Sequence, residues 1–315
     1  MTGVAVVVMA YGTPRSPDDI AAYYTDIRRG RPPTPEALAD LTARYQAIGG
    51  VSPLRTITEA QLAGIAAALD AADPGRFRVI LGMKHADPMI EDAAREAVDS
   101  GADTVVGLVL APHYSSASIG EYLTRLGDAL DAAASGTDRP VTTSAVSSWA
   151  SEPAYVAFLA ADLERRLATM RDATGGGVRV VFTAHSLPER VIAGGDPYVR
   201  ELRATGEAVA ERLGLVEGRD WQLGWQSAGR TPEPWIGPDI LTVLDELAED
   251  PAIDGVIVCP CGFVADHLEV LYDLDIEAAA RAAERRLVFD RTTSLNDDPT
   301  VMAALADLVR ARVDR

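Results

Sequence analysis

Short apolar runs rich in valine, at 4–9, 77–83, 104–110, 178–183 and 255–259, alternate along the chain with amphipathic stretches of helical period. That alternation predicts βαβ units, with parallel strands joined through helices. Helix starts are marked at Ser16-Pro17, Thr34-Pro35 and Asp298-Pro299, where a capping side chain stands before a proline at the first helical position. Gly175 to Gly177 read as the loop before a strand. The alanine-rich stretch near residue 70 reads as a helix ending at Asp73-Pro74-Gly75.

Three pieces of this pattern occur twice, in the same order. VAVVVMAYGTP (4–14) is matched by VRVVFTAHSLP (178–188), LGMKH (81–85) by LGWQS (223–227), and the apolar run from Val105 to Pro112 by the one from Val256 to Pro260. Each of those last prolines is followed nine residues later by a glutamate, Glu121 or Glu269. The chain therefore reads as two halves on one plan. Loops that leave a parallel sheet at its carboxyl edge gather at one crevice, so Tyr11, His185 and Glu269 are expected to face one cleft between the halves. The expected fold class is α/β: two Rossmann-like domains, each a parallel sheet flanked by helices, related by internal duplication. The expected boundaries are 1–115 for the first domain, with a C-terminal helix 298–315 packing on it, and 116–297 for the second.

Length and composition agree with two globular domains, each able to bury its own core. A net charge of −18 argues against nucleic acid or an anionic membrane as the main partner. Residues 1–55 differ, with six arginines against five acidic residues, which makes this segment the natural place for an anionic ligand. With the first strand starting at Val4 and no apolar run of membrane-span length, the expectation is a soluble, cytoplasmic protein without membrane insertion. Nucleotide signatures are missing: there is no G-x-x-x-x-G-K-S/T, and the turn AYGTP lacks G-x-G-x-x-G. Cys259 and Cys261 flank Pro260, too close to close a disulfide easily, and they are two ligands where an iron–sulfur cluster needs four.

The chemistry concentrates in a few places. His185 ends an apolar strand, and the matching position in the other half is Tyr11, another polar ring; two such rings in equivalent loops favour function over a merely structural histidine. A helix over FVADHLEVLYDLDIE (263–277) would stack Glu269, Asp273 and Glu277 on one face at a spacing of four, where like charges repel unless a cation is present. Asp266 reads instead as part of a solvated acidic face at a helix N-terminus. Arg28, Arg29 and Arg31 close the first helix, followed by Arg44-Tyr45 and the Gly49-Gly50-Val51-Ser52 turn, a donor-rich lip suited to carboxylates. His85, His113 and His267 lie in or beside apolar runs and read as supporting or packing residues.

The segments MAYGTP, IRRGR, RYQAIGGVSPL, APHYS, AHSLPE, GWQS and GFVADHLEVLYD are strung over nearly the whole chain and make it resemble the ferrochelatases. More narrowly it resembles the coproporphyrin ferrochelatases of Gram-positive bacteria, which carry tyrosine in the first motif. The resemblance implies a lyase-class metal chelatase that inserts Fe²⁺ into coproporphyrin III in haem synthesis, with a porphyrin cleft between two Rossmann-like domains. It implies that His185 and Glu269 are the iron-binding and catalytic pair, and that Tyr11 faces the opposite side of the macrocycle. Arg28, Arg44, Tyr45, Ser52 and Tyr122 match positions that contact the porphyrin and its propionates, and Asp273 and Glu277 match an outer metal site. Some relatives hold a [2Fe–2S] cluster on four cysteines, several in a C-terminal extension; with two cysteines in all and none near Arg315, no cluster and no permanently bound cofactor are expected here. The expected partners are coproporphyrin III and Fe²⁺ as substrates, with transient contacts to other haem-pathway enzymes that no motif marks.

Insertion of Fe²⁺ requires two pyrrole protons to leave and an ion to shed water, so the site needs a base and an oxygen ligand. His185 and Glu269 supply both, and the sequence leaves open which does which. A cobalt chelatase of a corrin pathway would fit the histidine and glutamate but not the set of Tyr11 and Arg28. A non-enzymatic porphyrin carrier would need the cleft and Tyr11 but not Asp273 and Glu277.

Overall fold

The computed structural model describes residues 3–135, 140–229 and 231–314. Its strands form two four-stranded sheets, each parallel throughout. The first holds β1 (Val4–Ala10), β2 (Phe77–Met83), β3 (Thr104–Val109) and β4 (Thr142–Val146) in the order β2-β1-β3-β4. The second holds β5 (Gly177–His185), β6 (Trp221–Gln226), β7 (Ile253–Cys259) and β8 (Val288–Arg291) in the order β6-β5-β7-β8. The two orders are the same, so the repeat in the sequence is a repeat of topology. Registers agree as well: Ala10 pairs with Met83 in one sheet and Ala184 with Trp225 in the other. β1 is buried along its whole length, which explains its unbroken apolar character; the interior of β5 is buried as well, Arg179 and Thr183 included.

The third repeated piece aligns differently from its prolines. With Ala10 equivalent to Ala184, the pairs Val8↔Leu108 and Phe182↔Cys259 make Leu108 the counterpart of Cys259, three residues from the proline-based match. The loop after β3 is longer by that much. Part of it, Pro112–Ala117, packs with the second unit, where the His113 Nε2 lies 2.9 Å from Thr205 Oγ1 and the Tyr114 N–H donates to Glu201.

The expected boundary at 115 is corrected by the same division. The first unit runs to Ala111, resumes over Ser118–Ser148 and takes in the chain from Asn296; the second holds Pro112–Ala117 and Trp149–Leu295. β4 is the reason, because its register with β3 ties 142–146 to the first sheet. The helix Pro299–Val313 packs against Leu54–Ala72 within the first unit, and Arg310 Nε bonds Asp73 at 2.9 Å; Arg315, the end of the expected 298–315 helix, lies outside the described residues. Of the three capped helix starts, Thr34 and Asp298 accept backbone N–H groups as expected. The Ser16 hydroxyl instead donates to Asp19, and a 3₁₀ turn (Pro17–Asp19) precedes the helix Ile20–Ile27. Among the described residues no helix is long and apolar enough to cross a membrane.

In each sheet the chain first adds a strand on one side of the central strand and then on the other, so the topological switch falls between β1 and β3 and between β5 and β7. Ligands of open α/β sheets bind beyond the carboxyl ends at that point.

Candidate active site

His185 is the last residue of β5, at the second sheet's switch point. Three contacts fix it. Its Nδ1 lies 2.5 Å from the Ser186 carbonyl, the Tyr198 hydroxyl donates to the His185 carbonyl at 3.1 Å, and its ring lies 6.3 Å from that of Trp235. A carbonyl only accepts, so Nδ1 carries a proton and Nε2 is the ring nitrogen left to face Glu269. Behind it, the loop after β7 comes so close that the Gly262 N–H donates to the Thr183 carbonyl at 2.9 Å, and a Cβ on Gly262 would overlap Ala184. Only glycine admits this approach, which accounts for the glycine of the GFVADH segment.

That loop delivers Glu269 into the first turn of the helix Leu268–Tyr272. Its Oε1 lies 3.7 Å from His185 Nε2 and its Oε2 3.7 Å from His267 Nε2. His267 repeats the tautomer logic, with Nδ1 3.0 Å from the Ala265 carbonyl. Burial alone would raise the Glu269 carboxyl, but His185, His267 and the Ser227 hydroxyl together outweigh it and hold the group at about 2. With 35% of the side chain exposed, water shares in screening that charge. The Glu269 carboxylate thus lies between two imidazole nitrogens, one on each of its oxygens, at the sheet edge. Among the described residues no three His, Cys, Asp or Glu side chains are gathered into a set that would hold an ion.

The helix expected over 263–277 is not continuous. Leu268–Tyr272 is α-helical, Asp273–Ala278 is a π-helix, and Ala279–Glu284 returns to α-helix. A π segment widens the turn and re-aims the side chains that follow. Asp273 is buried and accepts the Ser227 hydroxyl at 2.5 Å, while Ser227 itself holds a left-handed φ of 56°; Glu277 is half-buried in the same π segment. Asp266 is not on a solvated face, because it accepts from the Ser294 hydroxyl at 2.8 Å and from Arg291 at 3.2 Å, tying the loop to the end of β8. Both cysteines are buried free thiols, and burial pushes that of Cys261 well up.

In the first unit Tyr11 follows β1 and is 42% exposed, with its ring edge-on to His85 at 4.6 Å. His85 is held by Asp26 at 2.7 Å, and burial keeps its imidazole below the usual value despite that partner. The expected lip is only partly a surface. Arg28 is exposed, with its Nε on the Arg31 carbonyl at 3.2 Å, and Arg44 lies 3.6 Å from Asp40. Tyr45 is only 2% exposed, its hydroxyl 3.3 Å from Thr13 Oγ1, and Ser52 accepts the Leu54 N–H at 3.2 Å, so both serve the local fold. Tyr122 is buried under Lys84, whose Nζ lies 5.1 Å from the ring centroid, and burial pushes its phenol well up. A concavity of about 680 Å³ in the second unit, lined by Gly176, Arg179, Gly218 and Ile253 among others, lies at the amino edge of the sheet, the end away from His185.

Sequence reasoning treated His267 as support and passed over Tyr198 and Gln226. His267 stands two residues before Glu269 and Gln226 sits in the repeated LGWQS piece, so both had a positional signal; Tyr198 had none.

The fold is that of metal chelatases. A solved structure of the sirohydrochlorin chelatase SirB from Bacillus subtilis subspecies spizizenii in complex with cobalt superposes with a TM-score of 0.59 at 13% identity, covering 99% of this chain and 96% of that one. The family is given by sequence. Residues 3–313 match the family described as Ferrochelatase. A ferrochelatase of Herpetosiphon aurantiacus is 42% identical over 305 residues, covering 97% of each chain. A coproporphyrin III ferrochelatase of Geobacillus kaustophilus is 42% identical over 308 residues, 98% of this chain and 95% of that one. The chain belongs to the ferrochelatase family.

Proposed function

We propose that this chain inserts Fe²⁺ into coproporphyrin III, giving iron coproporphyrin for haem synthesis and releasing two protons. The observation that carries the reading is the facing of His185 Nε2 and Glu269 Oε1 at the carboxyl edge of the second sheet. In this reading Nε2 of His185 accepts pyrrole protons and the Glu269 carboxylate is the oxygen ligand that passes Fe²⁺ to the ring. Asp273 and Glu277 lead the ion toward Glu269, with Ser227 hydrogen-bonded to Asp273. Tyr11 contacts the other side of the macrocycle, and Arg28 and Arg44 meet propionates, for which guanidinium groups suit bidentate pairing. Tyr45, Ser52 and Tyr122 complete the set that contacts the porphyrin in this reading. The reaction requires no resident cofactor, and two cysteines fall short of the four that a cluster takes. The exposed Tyr11 and Arg28 and the half-buried Arg44 suit a soluble tetracarboxylate, handled in the cytoplasm.

The test is anaerobic incubation with Fe²⁺ and either coproporphyrin III or protoporphyrin IX, followed by absorption. Turnover with a higher kcat/KM on coproporphyrin III is expected. A preference for protoporphyrin IX refutes the substrate, turnover only with cobalt and a corrin precursor refutes the metal, and stoichiometric binding without turnover refutes the enzyme.

A further inference from the structure

The duplicated units differ most tellingly at one strand end. Lys84 and Gln226 occupy the same place, each following the register pair Met83↔Ala10 or Trp225↔Ala184. In the first unit the Lys84 ammonium donates to the Glu121 carboxylate at 2.6 Å, and Glu121 is the first-turn acid of the helix Ile119–Ala134. That charge is used up. In the second unit the matching acid is Glu269, and the residue at the lysine position is a neutral amide with no exposure at all.

The Gln226 amide makes two bonds. Its Oε1 accepts from the Thr183 hydroxyl at 2.6 Å, and its Nε2 donates to the Glu269 backbone carbonyl at 3.4 Å. Thr183 is two residues before His185 and therefore on the same face of β5. The backbone carbonyl of Gln226 also accepts the Ser186 N–H at 2.8 Å. One buried side chain thus ties the strand that carries His185 to the turn that carries Glu269 and leaves the carboxylate untouched. The first unit cannot build this bridge, because Met9 stands at the counterpart of Thr183 and offers no hydroxyl.

We propose that Gln226 is a positioning residue for metal insertion: with Thr183 it sets the separation of His185 and Glu269, and its neutrality keeps the Glu269 carboxylate available to a cation. The proposal rests on the iron-insertion reading above.

Gln226→Met, Gln226→Lys and Thr183→Val are compared with the unaltered protein in two ways. Hydrogen–deuterium exchange without substrates follows the amides around Leu268–Tyr272, and anaerobic turnover with Fe²⁺ and coproporphyrin III gives kcat and KM. Gln226→Met is expected to speed exchange in that turn and to lower kcat roughly 10- to 100-fold, with KM for coproporphyrin III unchanged. Thr183→Val should move both readouts the same way and add nothing to Gln226→Met in the double variant. Gln226→Lys should fall below Gln226→Met in kcat, because its ammonium takes up Glu269 as Lys84 takes up Glu121; should it fail to fold, Gln226→Met decides. Unchanged kcat or unchanged exchange in Gln226→Met overturns the proposal, as does a folded Gln226→Lys as active as the unaltered protein. Absence of turnover in the unaltered protein sinks the functional reading alone, and the exchange readout then decides the bridge by itself.

Discussion

His185 Nε2 and Glu269 Oε1 lie 3.7 Å apart, too far for a hydrogen bond and close enough for both to reach one incoming atom. The spacing is maintained from behind. β5 ends at His185, the Gly262 backbone lies against Ala184, and Tyr198 holds the His185 carbonyl. The pair is therefore held in place by the fold.

Gly262→Ala tests that support. The added Cβ overlaps Ala184, and relieving such overpacking costs about 1–3 kcal/mol while displacing the strand end. Thermal melting should show Tm lowered by ~2–4 °C per kcal/mol lost, with turnover falling more than stability alone explains. A variant with unaltered Tm and turnover would mean that the close approach is not required.

His113 predicts a pH effect on stability. Burial pushes its imidazole down to about 3, and its buried Nδ1 has no hydrogen-bond partner. The unfolded chain, with an ordinary histidine near 6.5, binds more protons than the folded one between those values, so the neutral ring's contribution is complete above pH 6.5 and is lost as pH falls. Well below 6.5 the loss attributable to this residue approaches ~1.4 kcal/mol per pH unit. Denaturation of the unaltered protein and of His113→Gln at pH 7.5 and 5 should show a smaller acid loss in the variant. Parallel losses would contradict the assignment.

How far the sequence carried this argument depended on burial. β1, β3, β5 and β7 announce themselves because they are central and largely apolar. β4 and β8 do not, being short edge strands whose residues are mostly not buried, and missing β4 is what misplaced the domain boundary. His185 was legible because duplication sets it opposite Tyr11 at equivalent strand ends, and Glu269 because it recurs at the spacing of Glu121. The π segment was not, since 263–277 keeps the polarity period of an α-helix and the backbone hydrogen-bond register leaves no mark in hydropathy. The Thr13 partner of Tyr45 was equally hidden, because a contact across 32 residues is a tertiary property.

Asp273 and Glu277 are expected to act on supply rather than on chemistry. Asp273→Asn with Glu277→Gln keeps size and hydrogen-bonding capacity while removing two charges, so initial rates should show weakened iron capture at low Fe²⁺ and near-normal turnover at saturation. Glu269→Gln should lower turnover even at saturating iron. Equal loss of kcat in the double variant, with no change in apparent KM for iron, would assign the outer acids to structure or proton removal.

The most direct measurement is made on His185→Ala, by coproporphyrin III titration and by anaerobic Fe²⁺ insertion on the same preparation. If His185 takes the pyrrole protons, porphyrin affinity stays within about twofold while kcat falls by at least ~10²-fold, the loss typical of removing a general base. Near-normal turnover in the folded variant would contradict the assignment of His185 and Glu269 as the inserting pair.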